Sequence, residues 1–283
     1  MARWRVLVTK NWIDSQIKKG RGIGKEDYYQ PWLTVRDFPS SGRVHRVWGW
    51  KTNRIHHLFS DLELKVFLQF LWPRSVKDQR EQFPLLPLEE TIEIAREMGI
   101  RHPTDPRTKH PIVMTTDMVL TVEQGLENSY HPYTVKYFKD LGKLRTREKL
   151  ELERRYWAST SRALKLKIMT EQQVSNDLIW NVLWALPFYE IVALYPLTEL
   201  EVSRTASVLT QLLLHEDIPL RIVAQKCDRF LRLDSGTSLA VVRHLIGRRY
   251  WEIDITKRIK TNERLVLLNS TATDLQNRRR LAA

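Results

Sequence analysis

The spacing of apolar residues changes character once along the chain, and that change limits the architectures open to it. Up to about residue 170, helical and period-2 patterns alternate; beyond it the pattern is almost purely helical. SDLELKVFLQFL, residues 60–71, places Leu62, Val66 and Phe70 on one helical face, broadened by Leu64, Phe67 and Leu71. VKDQREQFPLL (76–86) and PIVMTTDMVLTV (111–122) read as strands, with a helix over PLEETIEIAREM (87–98) between them. HPYTVKYF (131–138) has strand alternation, and EQGLENSY (123–130) makes it the second arm of an antiparallel hairpin. A charged helix over 146–159 and a strand over 163–170 complete a mixed α/β domain. Helices over 174–184, 199–214, 220–231 and 238–245 follow, then one short strand, WEIDI: the string of a winged-helix-like module. The 283 residues suffice for two domains, drawn at 1–170 and 171–283, with NRRRLAA read as a disordered tail.

Charge narrows the partners. The formal net charge is +13, and residues 1–60 hold 12 Lys or Arg against four acids, so +8 of it lies in the first fifth. Such a field favours a polyanion, and nucleic acid is the leading expectation. The segment reads as Gly- and Pro-punctuated loops with short extended pieces such as RVHRVWGW, and Arg43, Arg46, Lys51 and Arg54 are its candidate phosphate contacts. A solvated basic surface is the alternative. Cys227 is the single cysteine, which excludes an intrachain disulfide and paired-cysteine zinc sites; its apolar setting predicts an inert buried thiol. Residues 179–197 approach membrane-spanning length, but Asn181, Glu190, Pro187 and Pro196 interrupt them, so they read as buried structure with no membrane role. The start, MARWRVLVTKNW, is too polar for a signal peptide, and the chain is expected in the cytoplasm. Ten tryptophans in a basic chain suit base stacking, but Trp is more often core or half-buried packing, so that signal alone decides nothing.

No phosphate-binding loop, nucleophile elbow or HExxH is present, and the adjacent His56 and His57 diverge too far for a joint metal site. The topology does bring together Glu63 at a helix start, Asp117 on one hairpin arm and Lys136 on the other. Two carboxylates and an ammonium are what metal-assisted phosphodiester hydrolysis requires. Each also has a plainer reading: Ser60 and Glu63 form a capping box in which Glu63 reaches back to the amide of residue 60, Asp117 is a turn aspartate, and Lys136 is a solvated strand lysine. On the helix over 146–159, Glu153 falls among the apolar residues while Glu151 points to water. A buried carboxylate needs a partner, either an arginine or a place behind Lys136.

The run GRGIGKEDYYQPWLTVRDFPSSGRVHRVWGWKTNRIHHLFSDLE, then VKDQREQFPLLP, MTTD, TVK and REKLELERRYW in order, resembles the TnsA endonuclease family, the 5′-strand-cutting subunits of heteromeric TnsA/TnsB transposases. The resemblance runs from residue 20 to about 180. It implies a restriction-endonuclease-like catalytic domain, then a mainly helical winged-helix-like domain. It also implies catalytic acids at Glu63 and Asp117, a catalytic lysine at Lys136, and Mg²⁺, with Mn²⁺ substituting, on Glu63, Asp117 and the Val135 carbonyl. The implied partners are the double-stranded DNA of transposon ends, a TnsB-like DDE recombinase, and a TnsC-like AAA+ regulator bound through the C-terminal domain, all in a bacterial cytoplasm at the nucleoid. Thr134 stands where the wider nuclease superfamily carries an acid and this family often a glutamine, and YFKDLGKLR replaces a proline-containing turn. The alternative function is a catalytically weak DNA-binding adaptor bridging recombinase and regulator.

Overall fold

The computed structural model describes residues 6–37, 42–125, 127–159 and 161–271, so the NRRRLAA tail lies outside the described residues. The chain divides into two compact units, 1–174 and 175–283.

The first unit is built on a four-stranded mixed sheet in the order β3-β4-β5-β6. Strands β3 (Val76–Pro84), β4 (Thr115–Gln124) and β5 (Glu127–Val135) are antiparallel neighbours, and β6 (Lys167–Met169) pairs in parallel with β5. Parallel neighbours need a crossover, and α4 (Leu144–Ala158) supplies it. Tyr130 and Tyr133 of β5, three residues apart and so on opposite faces, belong to different apolar clusters. One contains Leu152, Tyr156 and Trp157 of α4 with Ala95 of α3 (Leu88–Glu97) and Val119 of β4. The other joins Leu62 and Val66 of α2 (Asp61–Leu71) to Val135 and Met169. Helices therefore cover both faces, and the functional residues sit where β4 and β5 meet the start of α2.

Three expectations need correction. The hairpin loop read over 123–130 is mostly ladder: Glu123 pairs with Asn128 and Gln124 with Glu127, leaving a tight turn at Gly125, whose φ is +66°. There the strands run out beyond the buried part of the sheet, so their outer residues are polar and the period-2 signal disappears although pairing continues. The loop reading of the first 60 residues leaves out a helix and the partner of the extended piece. These residues contain α1 (Lys10–Lys18), capped by Thr9 accepting from the Trp12 amide at 3.2 Å, and a separate hairpin of β1 (His45–Gly49) and β2 (Arg54–Leu58). Gly49 is required in that hairpin, because a Cβ would lie 2.4 Å from His56 Nε2. The third is a missed strand in the second unit, where Trp251–Glu252 (β7) pairs with Asn269–Ser270 (β8) rather than standing alone.

The second unit consists mainly of helices α5 (Asn176–Ala185), α6 (Glu199–His215), α7 (Leu220–Leu231) and α8 (Thr237–Gly247). Helix α8 is its centre, with residues buried on every side. Its N-terminus carries Gly236, which has no capping side chain, so Asp228 of α7 substitutes, accepting from the amides of Gly236 at 2.8 Å and Ser238 at 2.7 Å. Arg243 and His244 of α8 are turned to internal carbonyls at Trp184 and Phe188. The apolar stretch over 179–197 forms α5 and two short 3₁₀ turns, and the buried Asn181 anchors the 255–259 loop through three hydrogen bonds of 2.8–2.9 Å. Among the described residues no helix is long and apolar enough to cross a membrane. Cys227 is fully buried against the Thr205 carbonyl, and burial pushes its thiol pKa up. Among the tryptophans, Trp32, Trp157 and Trp251 are core residues, whereas Trp48 is 45% exposed.

Candidate active site

Glu63 lies in the first turn of α2, where the helix N-terminus favours a carboxylate. The Ser60 hydroxyl accepts from the Glu63 amide at 3.1 Å and donates to Glu63 Oε1 at 3.2 Å. The other carboxylate oxygen accepts from the amide of Phe59 at 2.9 Å, not from that of Ser60 as a regular capping box would have it. Glu63 thus caps the helix, and the same geometry fixes its carboxyl at a cleft.

Asp117 projects from β4 between the buried Thr116 and Met118. Its Oδ2 accepts three hydrogen bonds: from the Thr134 hydroxyl at 3.0 Å, the Val135 amide at 2.6 Å and Lys136 Nζ at 2.8 Å. Lys136 Nζ also donates to the Val135 carbonyl at 2.9 Å. The hairpin register, with Met118 opposite Tyr133, makes these meetings possible. A cleft of about 1080 Å³ has Glu63, Asp117 and Lys136 in its wall, so the three residues share one solvent-accessible space.

The electrostatics show a charge imbalance. Burial first, and then the Asp117 charge, push the Glu63 carboxyl up to about 7. Lys136 is shifted upward: burial opposes its charge, but Asp117, Glu153 and Glu63 outweigh that penalty. Glu153 on α4 is buried to 4% exposure and pushed up to about 8, by burial and then by Asp117. No arginine approaches it among the described residues. Instead the Thr116 hydroxyl donates to Glu153 Oε1 at 2.7 Å while accepting from Trp157 Nε1 at 2.8 Å. The arginine reading of Glu153 therefore fails among the described residues, and its carboxyl lies against Thr116, the neighbour of Asp117 on β4.

Thr134 orients Asp117 through its hydroxyl and is itself buried. The turn after Lys136 is a 3₁₀ segment, Phe138–Asp140, held by the Phe138 amide donating to Glu171 at 2.9 Å.

Most of the basic residues proposed as DNA contacts are engaged elsewhere. Arg54 is 8% exposed and forms a two-pronged pair with Glu81, at 2.8 and 2.7 Å, while also donating to the Gln79 and Glu26 carbonyls. It cannot reach a phosphate without breaking a buried ion pair, so that expectation is withdrawn. Lys51 donates to the carbonyls of Pro73 and Val76, and Arg43 pairs with Asp61 at 2.9 Å but stays exposed. Arg46 is exposed on β1. His56 faces inward to Glu81 while the His57 ring accepts from the Val35 amide, so the two do not form a joint site.

Sequence reasoning passed over Gln82, Arg101 and Lys149, which also line the cleft. Gln82 has φ +48°, and its side chain accepts from Thr115 at 3.0 Å; a left-handed backbone within REQFPL carries no compositional signal. Lys149 was findable as the residue one helical turn before Glu153.

The donor set fits a hard divalent ion. Two carboxylates and a main-chain carbonyl are all oxygen donors, and Glu63 is raised first by burial and then by the Asp117 charge, a repulsion a dication would relieve. Among the described residues no group of three or more His, Cys, Asp or Glu side chains has the geometry to hold a metal ion by itself.

A family model for the TnsA-like endonuclease N terminal matches residues 73–171, and one for the TnsA endonuclease C terminal matches residues 173–255. The chain is 37% identical over 277 residues, 95% of each protein, to the Transposon Tn7 transposition protein TnsA of Escherichia coli.

Proposed function

Because this chain belongs to the TnsA endonuclease family, we propose that it is a Mg²⁺-dependent nuclease that hydrolyses the 5′ strand at transposon ends within a cut-and-paste transposition complex. The observation carrying this reading is the meeting of Glu63, Asp117 and Lys136 in one cleft. Glu63, Asp117 and the Val135 carbonyl would hold Mg²⁺ or Mn²⁺. Such an ion, when bound, supplies Lewis-acid activation of the phosphate and of the attacking water.

The remaining steps belong to the chain's own residues. With its pKa held above the ordinary lysine value, Lys136 stays an ammonium at neutral pH and cannot act as a base. Its role is to stabilise charge developing on the scissile phosphate. Its two hydrogen-bond acceptors, Asp117 Oδ2 and the Val135 carbonyl, are the oxygens that would also hold the ion, so the ammonium is positioned beside the place a scissile phosphate would take. Thr134 and the Val135 amide fix the Asp117 carboxylate in place. Glu153 remains protonated at neutral pH, so it adds no competing negative charge beneath Asp117.

On this reading the first unit has the restriction-endonuclease-like fold of the family, and the second, winged-helix-like unit docks a TnsC-like AAA+ regulator. A TnsB-like DDE recombinase cuts the other strand. The test is cleavage of end-labelled transposon-end DNA by the full chain with its recombinase partner. Asp117→Ala and Lys136→Ala should abolish 5′-strand release; release at the normal rate by either variant refutes the assignment.

A further inference from the structure

The first 60 residues carry much of the positive charge, yet none of their described Lys or Arg residues lines the cleft. Arg54, Lys51 and Arg43 are engaged with Glu81, backbone carbonyls and Asp61, and Arg21 donates to Asp37 at 2.6 Å. The cleft wall holds a different set of cations, drawn from α4 and the turn after α3.

On α4, Arg145, Lys149 and Glu153 follow one another at intervals of four, and so lie along one stripe with about 6 Å of rise per step. Glu153 lies behind the catalytic residues, Lys149 lines the cleft one turn farther out, and Arg145 lines it a further turn away. Arg145 donates to Glu148 at 2.7 Å but remains 43% exposed. Arg101, exposed, lines the same cleft from the loop after α3. Among the described residues neither Lys149 nor Arg101 has an ion-pair partner. The groups acting on Lys149 are burial and the like charges of Arg145 and Lys136, which lower its pKa; no acid offsets them. Glu148, also in the wall, matches Arg145, whereas Lys149 and Arg101 stand without a paired acid, and such unmatched cations in a cleft are what an anion completes.

We propose that Lys149 and Arg145 on this stripe, with Arg101 beside them, form the track that holds the backbone phosphates flanking the scissile one, and that the N-terminal hairpin does not. The proposal rests on the nuclease reading. It adds where the strand runs from the catalytic centre: outward along α4 toward its N-terminus.

The same helix provides the control. Arg154 lies about 140° around α4 from Lys149 and pairs with Glu151 at 2.7 Å. Lys149→Ala and Arg154→Ala remove equal charge, so a long-range field responds equally to both and a local phosphate contact only to the first.

The experiment measures binding of the full chain to a random-sequence DNA duplex by fluorescence anisotropy, with Ca²⁺ in place of Mg²⁺, over roughly 50–200 mM salt. Lys149→Ala and Arg101→Ala should each flatten the slope of log K against log salt by about 0.9, the value for one lost phosphate contact, and Lys149→Glu should weaken binding further. Arg154→Ala and Arg46→Ala should leave the slope unchanged, and all five variants should keep the wild-type unfolding midpoint. Equal slopes for Lys149→Ala and Arg154→Ala overturn the proposal, as does an unchanged slope in both Lys149→Ala and Arg101→Ala, or a wild-type chain with no salt-dependent binding. Failure of the nuclease reading would appear separately, as retained cleavage by Asp117→Ala.

Discussion

Two of the buried carboxylate centres in the first unit are built on opposite principles. Glu81, fully buried in β3, is surrounded by hydrogen-bond partners: the two terminal nitrogens of Arg54, the His56 ring at 2.8 Å and the His57 amide at 3.1 Å. Burial alone would raise its pKa, but His56 and Arg54 outweigh burial and hold the carboxyl well below the usual range. Glu63 and Glu153 are also buried, yet they face Asp117 with one ammonium between three acids, and both are pushed up. Burial of a carboxylate does not by itself mark a site. A fully matched acid is structural, here fastening the β1–β2 hairpin to the sheet, whereas an undermatched one marks a candidate functional site.

The comparison fails first if the two centres respond alike to losing a charge. Asp117→Ala should lower single-turnover cleavage by about 10⁴-fold or more, ~5 kcal/mol of transition-state stabilisation, while leaving the fold at least as stable as wild type. Arg54→Ala should do the reverse. It leaves Glu81 buried without its main partner and should destabilise the chain by about 3–5 kcal/mol in urea unfolding, and replacing Arg54 and Glu81 together by apolar residues should recover much of that.

The next effect concerns pH, and here the centres differ in sign. Glu63 and Glu153 have folded-state values of about 7 and about 8 against an ordinary 4.5, so the folded chain binds more protons than the unfolded one. Their contribution is fully present below pH 4.5 and is lost as pH rises through 7 and 8, at up to about 1.4 kcal/mol per pH unit for each group. Glu81, shifted downward, contributes above its ordinary value and loses that contribution only in acid. Metal-free denaturation midpoints at pH 5.5 and 8 should therefore fall with pH, and Glu153→Gln should flatten the fall; an unchanged slope would separate Glu153 from the site. The smallest effect is Thr134→Val, which deletes one donor to Asp117 and should slow cleavage by about tenfold or less, ~1 kcal/mol, with little change in stability.

Much of this architecture was legible in the sequence, for reasons that can be traced to residues. Helix α2 follows from Leu62, Val66 and Phe70, and the β4–β5 hairpin from the alternation around Asp117 and Tyr133–Val135, so Asp117 and Lys136 could be placed together before any coordinates. Helix α1 was missed because its nine residues bury only Ile13 and Gln16, too few for a periodic signal. The Arg54 pair was missed for a different reason: its partner, Glu81, lies 27 residues away, and local pattern cannot tell a buried arginine from a phosphate-facing one. The role of Glu153 was left open for the same reason, since the Thr116 and Trp157 side chains that complete its surroundings lie on two different elements.

The claim that undermatched acids form a cation site is tested most directly by Mn²⁺ binding to the metal-free full chain, read from the ion's paramagnetic signal at pH 7.5. Wild type should bind Mn²⁺, and the bound ion should raise the unfolding midpoint. Asp117→Ala and Glu63→Gln should lose both effects, while Arg46→Ala keeps them. Wild-type binding that survives unchanged in Asp117→Ala and Glu63→Gln would contradict the account.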